Sequence, residues 1–118
     1  MKACWMNGTM VDADDAGISV YDHGLLYGDG VFEGIRFYDT VPFRLDAHLK
    51  RLQRSARALH LDLPYSLEQL AAATRQTALA TQEADGYIRL VVTRGKGALG
   101  IDPRTCAAST VFILADEL

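Results

Sequence analysis

The sequence predicts an α+β fold, an antiparallel sheet with two helices packed on it. Three observations predict it. Apolar residues alternate at period two near both ends of the chain, the turn dipeptide Asn7-Gly8 joins the first two such runs, and the middle carries two segments with apolar residues at helical spacing. A run of strands, then helices, then strands again gathers naturally into one sheet with the helices on one face.

Taken in order, Cys4–Asn7 and Thr9–Asp12 flank Asn7-Gly8, the dipeptide that most favours a two-residue hairpin. Val31–Tyr38 alternates as a strand, Asp39-Thr40 is a turn, and Val41–Leu45 reads as a short strand. Asp46 is placed to cap a helix whose apolar positions Leu49, Leu52, Ala56 and Leu59 fall on one face, and Leu63-Pro64 ends that element. Ser66 and Gln69 form a capping-box pattern, with Tyr65 and Leu70 as a hydrophobic staple, so a second helix is expected to run to about Gln82. Asp85-Gly86 turns into a strand over Tyr87–Arg94, a loop spans Gly95–Cys106, and Thr110–Ala115 is a last buried strand.

With 118 residues, 49% hydrophobic and 23% charged, the chain has the balance of one soluble globular domain with a modest core. A formal net charge of -3 argues against a nucleic-acid partner, which calls for a basic face. No apolar run reaches bilayer length and the N-terminus lacks the apolar stretch of a signal peptide, so a cytoplasmic protein with no membrane partner is expected. Cys4 and Cys106 have no CxxC partner, and a disulfide between them is less expected than reduced core thiols.

The chemistry concentrates in a few places. Gly28-Asp29-Gly30, followed by Val31-Phe32-Glu33-Gly34-Ile35-Arg36, sets glycines among aromatics where an ordinary strand has little use for them, so the backbone there bends sharply or lies close to a ligand or another chain. It matches neither GxxxxGK nor a GxGxxG that opens a helix. His23, His48 and His60 have no mutual metal-ligand spacing, the last two falling on the first long helix, and no metal is expected. Glu33, next to Arg36, reads as a strand ion pair or a surface group rather than a general base. Arg51, with Lys50 and Arg54, reads as a solvated basic face. Arg89 is different: it lies mid-strand with Tyr87 on the same face, where an unpaired charge is costly unless the face lines a polar pocket. Its guanidinium fork suits a carboxylate or a phosphate.

The motifs Asp22-His23-Gly24, the glycine-rich run, Phe43-Arg44-Leu45, His48-Leu49-Lys50-Arg51-Leu52 and Ser55-Ala56 together resemble the N-terminal domain of the class IV pyridoxal-phosphate aminotransferases. Tyr87-Ile88-Arg89 and Arg94-Gly95, followed by Gly97-Ala98-Leu99-Gly100-Ile101, continue the likeness in order, and within the class it is greatest to branched-chain amino acid aminotransferase. The resemblance implies that Arg51 binds the phosphate of pyridoxal 5'-phosphate, and that Tyr27 and Phe32 line the substrate pocket, with Gly34 and Arg36 on the same wall. It implies that Arg89, beside Tyr87, binds a substrate carboxylate, and that Leu99 and Ile101 reach into the pocket of a partner subunit in a homodimer. D-amino acid aminotransferases resemble the chain over its first half but carry an arginine and a histidine where Leu99 and Ile101 stand, and aminodeoxychorismate lyases have polar residues in that loop. An apolar loop suits an aliphatic side chain, which gains by burial without needing partners. The expected substrates are branched-chain amino acids and 2-oxo acids.

Transamination needs a Schiff-base lysine and a carboxylate for the pyridine nitrogen. In the resembled family both come from a C-terminal domain. Lys2, Lys50 and Lys96 match no catalytic position, and Lys96 stands in a glycine-flanked loop that reads as too mobile for the task. Residues 1–118 are therefore expected to be a single small domain that is inactive alone, with the catalytic-lysine domain as its missing partner. The competing reading is a non-catalytic module that binds an anion or only dimerises.

Overall fold

The structure is a computed structural model and describes residues 1–118. Its centre is a six-stranded, wholly antiparallel sheet. In chain order the strands are β1 (Ala3–Met6), β2 (Thr9–Val11), β3 (Gly30–Tyr38), β4 (Val41–Pro42), β5 (Gly86–Thr93) and β6 (Thr110–Asp116), arranged in space as β2-β1-β6-β5-β3-β4. Three helices accompany them: α1 (His23–Tyr27), α2 (Leu45–Ala58) and α3 (Leu67–Ala80). The expected class, sheet and pair of long helices are all present.

Asn7 and Gly8 both take positive φ, 48° and 107°, the backbone that a two-residue hairpin turn of matching twist demands. Strand alternation then divides the sheet into two faces. Ile35 and Phe37 of β3, Ile88, Leu90 and Val92 of β5, and Val111 and Ile113 of β6 are buried against α2 and α3. Leu49, Leu52 and Ala56 of α2 and Leu70, Ala73 and Ala78 of α3 complete that core. Each fully buried leucine, isoleucine or phenylalanine contributes about 1.5–3 kcal/mol of transfer free energy, which outweighs the weak local preferences of these short elements. Tyr65 closes one end, its ring 5.1 Å from Trp5 in an edge contact.

The capping box of α3 forms as the sequence predicts: Gln69 N donates to Ser66 Oγ at 3.0 Å and Ser66 N to Gln69 Oε1 at 2.8 Å. The start of α2 differs. Arg44, in the left-handed region at φ 54°, is its N-cap without a side-chain cap bond, and Asp46 lies inside the first turn. The strand expected over Val41–Leu45 is only Val41–Pro42: Phe43 N still donates to Arg36 O at 2.7 Å, and the left-handed Arg44 then turns the chain into α2. Asp46 instead meets the positive end of the helix dipole and pairs with Lys50 at 3.0 Å. Leu59 caps α2 rather than belonging to it, and His60 lies beyond the helix at φ 51°.

Helix α1 has no counterpart in the sequence reading. It is a single turn whose N-cap, Asp22, accepts from Gly24 N at 2.8 Å and, through its other oxygen, from Thr110 Oγ1 at 2.8 Å. No helix in the chain is long and apolar enough to cross a membrane.

Candidate functional site

The face of the sheet turned away from α2 and α3 carries Phe32, Gly34 and Arg36 from β3 and Tyr87, Arg89 and Val91 from β5. Antiparallel register sets Gly34 opposite Arg89, Arg36 opposite Tyr87 and Phe32 opposite Val91. The Arg89 guanidinium lies 4.7 Å from the centroid of the Phe32 ring and 5.7 Å from that of Tyr87, and its Nη2 donates to Tyr87 Oη at 3.1 Å. Arg89 is exposed, so the burial cost that its mid-strand position suggested does not arise; the two rings lie against it through cation–π attraction and one hydrogen bond, and no side-chain acid is paired with it. Its Nε and Nη1 make no hydrogen bond within the chain.

Gly34 makes this arrangement possible. A Cβ built there would stand 2.3 Å from Tyr87 Oη, so only glycine lets the Tyr87 side chain lie across β3 toward Arg89. Two open grooves meet at Arg89, one of about 490 Å³ running past Tyr87 and Leu114, the other of about 270 Å³ past Phe32 and Val91.

A second site lies on the helix side of β3. Arg51 of α2 donates from Nε to Glu33 Oε2 at 2.9 Å and from Nη2 to Oε1 at 2.8 Å, while His48 Nδ1 donates to the same Oε1 at 2.6 Å. The Glu33 side chain is 4% exposed and that of Arg51 60%. Burial pushes the Glu33 carboxyl up, but the hydrogen bonds and charges of Arg51 and His48 outweigh burial and hold it below its ordinary value; Glu33 in turn raises Arg51. Beside this cluster opens a cleft of about 290 Å³ lined by Arg44, Ala47, His48, Arg51 and Arg54, with no acid among them.

Glu33 thus corrects the sequence reading: it is neither a surface group nor the partner of Arg36. Residues three apart on a strand point to opposite faces, so Glu33 shares the side of Ile35 and Phe37 while Arg36 goes to the other. The signal was present in that parity and in the spacing of His48 and Arg51, three apart on one helix face.

The third group surrounds the Gly95–Cys106 loop. Tyr27 lies on α1 and not on the pocket strand, and its hydroxyl donates to the Leu99 carbonyl. His23 Nε2 donates to the Ala98 carbonyl at 2.7 Å. Leu99 and Ile101 are 64% and 73% exposed at the loop's apex, away from the grooves at Arg89. The structure therefore unites Phe32, Gly34, Arg36, Tyr87 and Arg89, and separates from them both Arg51 and the trio Tyr27, Leu99 and Ile101. The base of the loop is also firmer than the sequence suggested for Lys96. His23 N donates to Gly95 O at 2.9 Å and Gly97 N to Tyr21 O at 3.0 Å, a short antiparallel bridge that centres on Asp22 and Lys96. Lys2 and Lys50 are paired with Asp14 and Asp46. Cys4 is a buried free thiol, and Cys106 is a free thiol on the loop rather than in the core.

The family model for amino-transferase class IV matches residues 30–118, and the chain belongs to that family. Among its relatives is a putative branched-chain-amino-acid aminotransferase of Methanocaldococcus jannaschii, 52% identical over 111 residues, a match that covers 94% of this chain and 38% of that protein. The branched-chain-amino-acid aminotransferase of Escherichia coli K12 is 36% identical over 115 residues, covering 94% and 37%. Among solved structures, the branched-chain aminotransferase of the thermophilic archaeon Thermoproteus uzoniensis with norvaline superposes with a TM-score of 0.88 at 38% identity, covering 98% of this chain and 40% of that one. The T.th. branched-chain amino acid aminotransferase complexed with N-(5'-phosphopyridoxyl)-L-glutamate superposes with a TM-score of 0.91 at 37% identity, with the same coverage of 98% and 40%. The chain thus spans less than two-fifths of the length of the two sequence relatives.

Proposed function

We propose that this chain is the small domain of a pyridoxal-phosphate-dependent aminotransferase that moves an amino group between branched-chain L-amino acids and 2-oxoglutarate. The observation that carries the reading is Arg89, set between Phe32 and Tyr87 with N–H groups to spare. Such a fork binds a carboxylate in a fixed orientation, and the neighbouring rings and Val91 keep water from an aliphatic chain beside it. Branched-chain enzymes among the relatives support the same substrate class.

The residues at the edge of β3 fit the cofactor's phosphate. Glu33 engages Nε and Nη2 of Arg51, which leaves Nη1 without a partner beside Arg44 and Arg54 in a cleft free of acids, the donor set that a dianion requires. In this reading Arg51 binds the phosphate, Arg89 orients the substrate carboxylate, and Phe32, Gly34, Arg36 and Tyr87 form the wall between the two. Tyr27 is assigned to the substrate pocket with Phe32, and Leu99 and Ile101 to the pocket of a second copy in a homodimer. Bound pyridoxal phosphate supplies the reactive carbonyl and the electron sink. The lysine that joins it covalently and the acid for its ring nitrogen are assigned to a second, C-terminal domain, since Lys2 and Lys50 are held by Asp14 and Asp46 and Lys96 stands in the loop bridge opposite Asp22. The protein is assigned to the cytoplasm.

The test is amino transfer by the native protein with added pyridoxal phosphate. Glutamate formed from L-leucine and 2-oxoglutarate supports the reading. Transfer from D-alanine but not from L-leucine would replace it with a D-amino acid enzyme, a reading that the apolar Leu99 and Ile101 disfavour.

A further inference from the structure

The two hydrogen bonds that α1 sends to the loop have a regular geometry. His23 and Tyr27 stand four residues apart, on one face of the helical turn, and take the consecutive carbonyls of Ala98 and Leu99. Their rings meet edge to face at 5.1 Å. Because a carbonyl only accepts, Nε2 of His23 carries the hydrogen.

The loop is shaped to receive them. A Cβ at Gly97 would stand 2.9 Å from His23 Nε2 and 2.6 Å from Cys106 Sγ, so only a glycine lets the backbone pass over the imidazole. Ala98 N donates to Thr105 Oγ1 at 3.0 Å, and that hydroxyl donates to Asp102 O at 3.0 Å, which closes the loop on itself behind the contact. Beyond Leu99 the restraint ends: a Cβ at Gly100 would meet nothing within 4 Å. A clamped base thus carries a free apex.

His23 is fully buried, and its Nδ1 has no hydrogen-bond partner. An apolar side chain of similar size would fill the space without stranding a polar atom, so stability alone does not account for a histidine here. What the imidazole supplies, and a leucine would not, is a donor at a fixed height under the Ala98 carbonyl.

We propose that His23 is a positioning residue which, with Tyr27, sets the height of the Leu99–Ile101 apex and thereby the length of aliphatic side chain that the pocket accepts. The inference rests on the assignment of Leu99 and Ile101 to a substrate pocket, while its structural half, the clamp, stands on the hydrogen bonds themselves. His23 and Tyr27 act on the apex only through the loop backbone.

The experiment compares wild type, H23L, H23Q and Y27F in the native protein. It measures kcat/KM for L-leucine and L-alanine, together with hydrogen exchange at the Gly97 and Ala98 amides. H23L is expected to lower the leucine-to-alanine ratio by about tenfold, the discrimination carried by a misplaced methylene or two, and to speed exchange of both amides. H23Q, which keeps a side-chain N–H donor, restores most of the ratio. Y27F, a change at a partly exposed residue that leaves the ring in place, shifts both readouts in the same direction even if H23L does not fold. An unchanged ratio and unchanged exchange in folded Y27F overturn the inference. Faster exchange with an unchanged ratio overturns its specificity half. Wild type that makes no glutamate from L-leucine overturns the pocket assignment instead, and the exchange data then still decide the clamp.

Discussion

Glu33 and Arg51 face each other across the edge of the sheet, the carboxylate buried and the guanidinium half in solvent, joined by hydrogen bonds of 2.8 and 2.9 Å. The acid engages two of the arginine's three nitrogens, while the Arg51 side chain also lines the basic cleft. A buried carboxylate whose neighbours are an arginine and a histidine is a device for orientation, because its own desolvation consumes much of what the pairing returns.

If Arg51 binds the cofactor's phosphate, Arg51→Ala removes a charge-assisted contact contributing about 1.5–3 kcal/mol, and affinity for pyridoxal phosphate falls by roughly ten- to a hundredfold. Titration of the native protein with the cofactor, followed by absorbance, measures this. Unchanged affinity refutes the phosphate role.

Glu33 also predicts how stability depends on pH. Its carboxyl is held below the ordinary value of 4.5, so its contribution is fully present above that value and is lost as the pH falls through the lower folded-state value. Urea midpoints at pH 6 and at pH 3.5 should differ more for wild type than for Glu33→Gln, which cannot titrate at this position. Equal differences in the two proteins would remove Glu33 from the account.

Gly34→Ala tests the substrate wall without touching a charge. The new methyl would meet the Tyr87 hydroxyl, displace the ring and loosen Arg89. KM for 2-oxoglutarate is expected to rise by about tenfold or more, while cofactor affinity at Arg51 stays unchanged. An unaltered KM contradicts the packing argument.

Arg94 is the structural counterpart of these arginines. It pairs with Asp29 at 2.9 Å and donates to the Leu59 and His60 carbonyls at 2.9 Å each, which closes the C-terminal end of α2 and ties it to the turn before β3. Arg94→Ala is expected to cost about 2–3 kcal/mol of stability, read by urea unfolding of the native protein.

Legibility follows periodicity. The sheet, the two long helices, the hairpin turn and the capping box each leave a pattern within a few residues. So does the pairing of Tyr87 with Arg89, which strand parity puts on one face. Helix α1 leaves no such pattern because a single turn has no period to detect, and its cap, Asp22, is held by Thr110, 88 residues away. Glu33 misleads because its nearest charged neighbour in sequence, Arg36, lies across the sheet, whereas its true partners sit 15 and 18 residues on. The start of α2 depends on a left-handed Arg44, a conformation that no side-chain preference announces.

The central claim is that Arg89, set between Phe32 and Tyr87, is the site of a substrate carboxylate. The KM of the native protein for 2-oxoglutarate, compared between wild type and Arg89→Leu, tests it most directly. The account predicts a rise of about tenfold or more, with cofactor binding and folding intact. An unchanged KM in a folded, cofactor-loaded Arg89→Leu protein would contradict it.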